Sequence, residues 1–210
     1  MTRSPNAPIV RDLGLQPLPA AWEAMQRFTN DRAPDTPDEI WFAEHPPVFT
    51  LGMRADRAHV LTPGEIPVVQ IDRGGQVTYH GPGQLMAYVL LDLKRRALDI
   101  RTLVQALEGA VIDTVAAHGV HAIGRRDAPG VYVDGRKLAA IGLRVRRGCS
   151  YHGMAVNVAM DLEPYSRINP CGYEGLEATQ AAALYPGVTL AGFRDELEPR
   201  LLARLKKGHG

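Results

Sequence analysis

The sequence predicts an α+β fold, a single domain built on a mixed or antiparallel sheet with flanking helices. Three observations predict it. Short apolar segments bounded by turn residues recur along most of the 210 residues. One long helical stripe, starting at Asp99, interrupts them, and two further helical stretches lie towards the ends. With 45% hydrophobic residues, no internal repeat and no low-complexity linker, the chain has apolar surface for one substantial core.

Pro19 to Asn30 reads as a helix, because Trp22, Met25 and Phe28 recur along one face. The turn-rich segment Ala33 to Asp38 then forms a loop. Glu39 to Ala43 and Val48 to Leu51 are expected strands, separated by His45-Pro46-Pro47. Val68 to Ile71, Gln84 to Leu91 and Gly130 to Val133 are three more. Between the first two of these, Arg73 to Gln84 is expected to be a long polar loop.

Asp99 is a good N-cap, and Ile100, Leu103, Val104, Leu107, Val111 and Val115 behind it form an apolar stripe that ends near Gly119. Asp134-Gly135 predicts a two-residue hairpin turn into a strand from Arg136 to Val145. There Ile141, Leu143 and Val145 alternate with Gly142, Arg144 and Arg146. Met154, Val156 and Val158 alternate likewise, so a half-buried antiparallel pair is expected. A last amphipathic helix is placed within Thr189 to Lys207, disturbed around Pro199.

Twenty-four basic and 23 acidic residues leave a net charge of +1, so no whole-chain field draws in nucleic acid. Arg144, Arg146 and Arg147 read as a solvated strand face, with docking of an acidic protein as the alternative. Two cysteines, Cys149 and Cys171, make no disulfide framework and suit a reducing compartment. Met1 to Pro8 lacks an apolar h-region, and no apolar run approaches membrane-spanning length. A cytoplasmic protein away from the membrane is the expectation.

Cys171 stands between Pro170 and Gly172, on a tight turn where a thiol is expected to be aimed outward; a small buried hydrophobe, the commoner state of a free cysteine, is the alternative. A free thiol with a pKa of about 8.5 is only a few per cent thiolate at neutral pH. An ammonium group that lowers that pKa raises the thiolate fraction, and thiolate attack on a thioester then needs no strong base. Lys137 is the candidate ammonium, at the start of a strand continued by the small residues Ala139, Ala140 and Gly142. An exposed hairpin lysine is the plainer alternative.

The stretch from Arg73 to Gln84 carries four glycines, which let backbone approach a ligand, together with Arg73, Tyr79 and His80. A binding loop is the preferred reading and a hairpin with ordinary turn glycines the alternative; the stretch lacks the Gly-Lys-Ser/Thr ending of a phosphate loop. In Cys149 to Asn157, His152-Gly153 is placed against the same cavity as His80-Gly81, with Asn157 anchoring a neighbouring turn; a plain core strand is the alternative. Cys149, Cys171, His80 and His152 lack the short paired spacings of structural zinc sites, so no metal site is expected.

Taken together, four blocks closely resemble the lipoyl(octanoyl) transferase family, in the family's order and spacing. They are Arg73 to Leu85, then Gly130 to Val133 with Lys137 to Gly142, then Ser150 to Val158, then Ile168 to Gly172. The resemblance covers roughly Ile9 to Leu190 and implies a biotin/lipoate protein ligase-like fold, with residues 1–210 as one catalytic domain.

It implies an octanoyltransferase that takes octanoyl from octanoyl-acyl carrier protein as a thioester on Cys171. The group then passes to a lysine of lipoyl domains, in 2-oxoacid dehydrogenase E2 subunits and the glycine cleavage H protein. Lys137 matches the lysine that lowers the thiol pKa. Arg73, Gly74, Gly75, Gln76, Val77, Thr78, Tyr79 and His80, then Ala140, Ile141 and Gly142, then His152, Gly153, Met154 and Ala155 match the segments that enclose the acyl group.

No cofactor, ATP or metal is implied, and a monomer is expected. Two alternatives remain open: an ATP-dependent lipoate or biotin ligase of the same fold, which needs no thiol, and a silent carrier-domain binding module.

Overall fold

Two sheets, of seven and three strands, share the work of positioning the site. The computed structural model describes residues 7–206, apart from the side chain of Cys171. In chain order the elements are β1 (Ile9–Leu15), α1 (Leu18–Asn30), β2 (Glu39–Glu44), β3 (Val48–Leu51), β4 (Val68–Gln70), β5 (Val77–His80) and β6 (Gln84–Leu90). They continue as α2 (Ile100–Ala116), β7 (Ile123–Gly124), β8 (Gly130–Val133), β9 (Arg136–Arg146), β10 (Cys149–Asn157), α3 (Ala181–Leu184) and α4 (Leu190–Lys206). The large sheet runs β1-β2-β6-β10-β9-β8-β7, and the small one β4-β3-β5. β1–β2 and β3–β4 are parallel and the other pairs antiparallel, so the expected mixed α+β architecture stands.

Local chemistry accounts for most boundaries. The Asp99 carboxylate accepts the Thr102 N–H at 2.6 Å and opens α2. Asp134 and Gly135 take φ of +50° and +78°, as a type I′ turn requires, and join β8 to β9. Arg147 and Gly148 repeat the device at +52° and +80° between β9 and β10.

One face of the large sheet is covered by α2 and α4. Leu103, Leu107, Val111 and Val115 of α2 and Phe193, Leu197, Leu201 and Leu205 of α4 share one cluster with Leu85, Ala87 and Val89 of β6. Ile100, expected within that stripe, is 51% exposed, because it precedes the turn at which α2 meets the sheet.

Three expectations are corrected, and two strands are added. The 73–84 stretch is not all loop: Val77–His80 is strand β5, paired with β3, since two β-branched residues and a tyrosine follow the glycines. β10 is buried on both faces, not half-buried, because α1 covers the second face. α4 runs unbroken through Pro199, because its buried residues on either side are anchored on α2 and the sheet. β1 and the short β7 join as edge strands that no alternating pattern announces.

Of the three arginines, Arg146 and Arg147 are exposed, while Arg144 is half-buried beside Tyr151 and reaches Met53. Asp38 is buried and holds Arg32, Arg95 and Arg96 together, fixing the approach to β2. Burial pushes its carboxyl up, but the Asp92 N–H and the guanidinium groups pull it below its ordinary value. Among the described residues, no helix is long and apolar enough to cross a membrane.

Candidate active site

Between α1, the small sheet and the strands β6, β10 and β9 lies a mainly apolar cavity of about 570 Å³, its open mouth included. Every residue from 73 to 80 lines it except Gly74 and Tyr79, and so do 140–142 and 152–155. Gly74 instead docks its N–H on Leu143 O at 2.9 Å. Tyr79 points the other way, packing on Phe49 and Tyr165. Gly142 explains how the loop comes so close: a Cβ there would stand 2.9 Å from Gly74 O and 3.1 Å from Arg73 Cδ.

The polar side chains at the wall are held rigidly. Arg73 is buried and donates to Thr50 O and Oγ1, at 2.7 and 2.8 Å, and to Gly74 O at 2.9 Å. His80 is fixed between Thr50 Oγ1 at 3.0 Å and Gln84 Oε1 at 2.7 Å. Burial, with the charge of Arg73, pushes its pKa down to about 3, so it is neutral at physiological pH. Asn157 anchors its neighbours as expected, donating to Thr179 O and accepting from Gln84, at 2.9 Å each.

His152 takes the left-handed conformation, φ +59°, and its Nε2 meets Asp72 Oδ1 at 2.8 Å. Asp72 is a hub that the sequence did not single out. It also accepts from Tyr151 Oη, from Trp22 Nε1 at 2.7 Å and from Gln26 Nε2 at 3.3 Å. Half-burial would push its carboxyl up, but the bonds from His152, Tyr151 and Trp22 hold it far below the usual range. The His152 ring is held below its ordinary value by burial, against the opposing pull of Asp72. Since Trp22 and Gln26 belong to α1, the same carboxylate ties that helix to the rim.

Lys137 is 5% exposed, so it is no surface hairpin lysine. Its Nζ lies 5.2 Å from the Tyr132 ring centre. Gly130 makes room for the stem, since a Cβ there would stand 2.8 Å from Lys137 Cε. Glu108 sits close enough for the positive charge of Lys137 to oppose the upward push of burial on its carboxyl. The Lys137 N–H donates to Glu177 O at 2.8 Å, and its carbonyl accepts from Thr179 N at 2.9 Å. The chain leaving the cysteine turn therefore borders the lysine's strand.

Pro170–Gly172 forms one 3-10 turn, with Gly172 at φ +76° and its N–H on Asn169 O at 2.9 Å. A Cβ on Gly172 would lie 3.3 Å from His59 Nε2 and 3.5 Å from Gln76 Cγ. Gln76 lines the cavity, so the turn abuts the cavity wall. Arg125 bridges the remaining gap, 5.1 Å from the Tyr132 ring beside Lys137 and 6.0 Å from the Tyr173 ring two residues past Cys171. The Cys171 side chain itself lies outside the described residues. Cys149 is buried, and burial pushes its thiol up.

Residues 18–201 match the family described as lipoyl protein ligase A/B catalytic domain. The octanoyltransferase of Erwinia tasmaniensis is 56% identical over 200 residues, spanning 95% of this chain and 88% of the relative. The chain belongs to the octanoyltransferases. It is accordingly an acyltransferase, and the resemblance carried by the four motif blocks is borne out.

Two solved structures establish the fold at low identity. One is a bipartite lipoate protein ligase from Thermoplasma acidophilum, 15% identical, with a TM-score of 0.75 over 95% of this chain and 84% of the other. The other is the biotin protein ligase of Aquifex aeolicus, 13% identical, with a TM-score of 0.56 over 96% and 70%.

The structure thus gathers three separate sequence segments around one cavity and sets the lysine strand and the cysteine turn at its edge. Sequence reasoning missed Leu18 and Met25 of α1, Met86 and Tyr88 of β6, and Ile71 among the lining residues. The apolar stripe of α1 was visible, but nothing local says that it covers a void and not solid core.

Proposed function

We propose that the enzyme moves an octanoyl group from octanoyl-acyl carrier protein to a target lysine of lipoyl domains, those of 2-oxoacid dehydrogenase E2 subunits and the glycine cleavage H protein. The observation that carries this reading is the apolar cavity itself, with its Gln76 wall against the turn that bears Cys171. An eight-carbon tail gains roughly 0.8 kcal/mol for each methylene it buries there.

In the first half-reaction the Cys171 thiolate attacks the donor thioester. A new C–S bond forms on the enzyme, and the carrier leaves as its thiolate. In the second, the acceptor's neutral amine attacks that acyl-enzyme. An amide bond forms, Cys171 departs as thiolate, and Lys137, left neutral once its ammonium has protonated the departed carrier thiolate, takes up the amine's surplus proton and becomes an ammonium again. The ammonium of Lys137 also favours the thiolate form of Cys171. The neutral His80 and the bonded Arg73 hold the wall without offering the tail a free charge. Residues 1–210 act as one catalytic unit, as a monomer in the cytoplasm and without ATP, metal or cofactor.

Incubation with octanoyl-acyl carrier protein is expected to add one octanoyl group to the wild-type chain by intact-mass spectrometry, and none to Cys171→Ala. Undiminished transfer by that variant would refute the assignment. Product formed from free octanoate and ATP alone would point to the ligase chemistry instead.

A further inference from the structure

β9, β10 and β6 lie side by side, and their register aligns Ala140 with Ala155 and Ala155 with Met86. Partners in register share a face, so these three form one row across the sheet beneath α1. The row is small, small, large. Two strand spacings, about 10 Å, separate the Ala140 end from the Met86 end.

The Ala140 end belongs to the half-buried stretch of β9 that continues from Lys137. The Met86 end is different. Met86 and Met25 of α1 are 5% and 1% exposed, and both pack into a cluster with Trp41, Tyr88 and Leu90. Both also line the cavity. Tyr88 lines the cavity beside them, pinned by its hydroxyl on His45 Nε2 at 2.5 Å, and buried Trp41 and Leu90 complete the cluster.

We infer that Met25 and Met86 form the blind end of the acyl cavity and set the longest chain the enzyme accepts, while Ala140 and Ala155 keep the trough open towards it. This rests on the reading of the cavity as the acyl site. A chain that enters over β9 crosses two small residues and then meets two thioethers. Discrimination between eight and ten carbons is then a steric stop made by two side chains, and not a property of the reacting groups. Methionine is a flexible stop, so a modest leak to longer chains is expected of the wild type.

The test is a chain-length profile, using hexanoyl-, octanoyl-, decanoyl- and dodecanoyl-acyl carrier protein as donors and the mass of the loaded enzyme as readout. Met86→Ala and Met25→Ala are each expected to raise decanoyl over octanoyl loading by on the order of tenfold, the discrimination that two methylenes carry in an apolar pocket. Ala140→Val, at a half-buried strand position that suits a β-branched residue, is expected to fold even if the methionine variants do not. It should favour hexanoyl over octanoyl by a similar factor. A uniform loss of rate with an unchanged profile in the folded variants would overturn the inference and leave octanoyl transfer standing. A wild type that accepts no acyl group from any donor would instead sink the proposed function.

Discussion

The two faces of the seven-stranded sheet are built on opposite principles. Towards α2 and α4, β6 presents Leu85, Ala87 and Val89, and leucine, valine and phenylalanine side chains pack around them. Towards α1 the same strand presents Met86 and Tyr88, while its neighbours offer alanines and glycines, and a cavity remains. The first face is held mainly by packing, with Arg204 of α4 on Asp113 of α2 added at its edge. The second cannot be, because part of its apolar surface faces a void, and polar bonds through Asp72 and Thr50 take over the positioning. One face stabilises the molecule and the other is left incomplete for a ligand to finish.

The sharpest way to break that contrast is to cut into each face in turn. Phe193→Ala, on the filled face, is expected to cost about 3–5 kcal/mol, whereas Met25→Ala, beside the existing void, should cost about 2 kcal/mol, near the lower limit for such truncations. Urea unfolding of both variants checks this; equal losses would mean that the cavity face is packed as tightly as the other.

Asp72→Asn comes next, at about 1–3 kcal/mol, because the Trp22, Tyr151 and His152 partners lose a charged acceptor. Since Asp72 opposes the effect of burial on His152, the variant's His152 is expected to titrate still lower, which an NMR titration of the imidazole would show. A structural role confined to α1 would leave that titration unmoved.

The last effect is in the pH dependence of stability. The pKa of His80 falls from 6.5 to about 3 on folding, so below pH 6.5 the unfolded chain takes up a proton that the folded chain refuses. Its contribution is fully present above pH 6.5 and is lost as pH falls towards 3. His80→Gln is expected to flatten the acid side of a denaturation midpoint against pH. The slope should diminish without vanishing, because His45 and His152 shift in the same direction. The depressed carboxylates act only below their own unfolded values, 3.8 for Asp72 and Asp38 and 4.5 for Glu39, so the slope between pH 6.5 and 4.5 is where the histidine effect is read free of them.

Much of the site was legible because its chemistry depends on residue type at close range. Positive φ at Asp134 and Gly135, the Asp99 cap and the small residues of β9 all act within a few positions, and their spacing announces them. Asp72 was not legible. An aspartate beside an Arg-Gly-Gly loop looks like any turn residue until Trp22, Gln26, Tyr151 and His152 converge on it from distant parts of the chain.

By itself the sequence determined the three long helices, seven of the ten strands, the three segments around the cavity and the family, because each rests on local periodicity or short motifs. Only the tertiary structure decided which face of the sheet is filled, that β5 pairs inside an expected loop, that α4 continues through Pro199, and where the cavity ends. Those outcomes depend on contacts between segments far apart in sequence, and such contacts leave no pattern in any one of them.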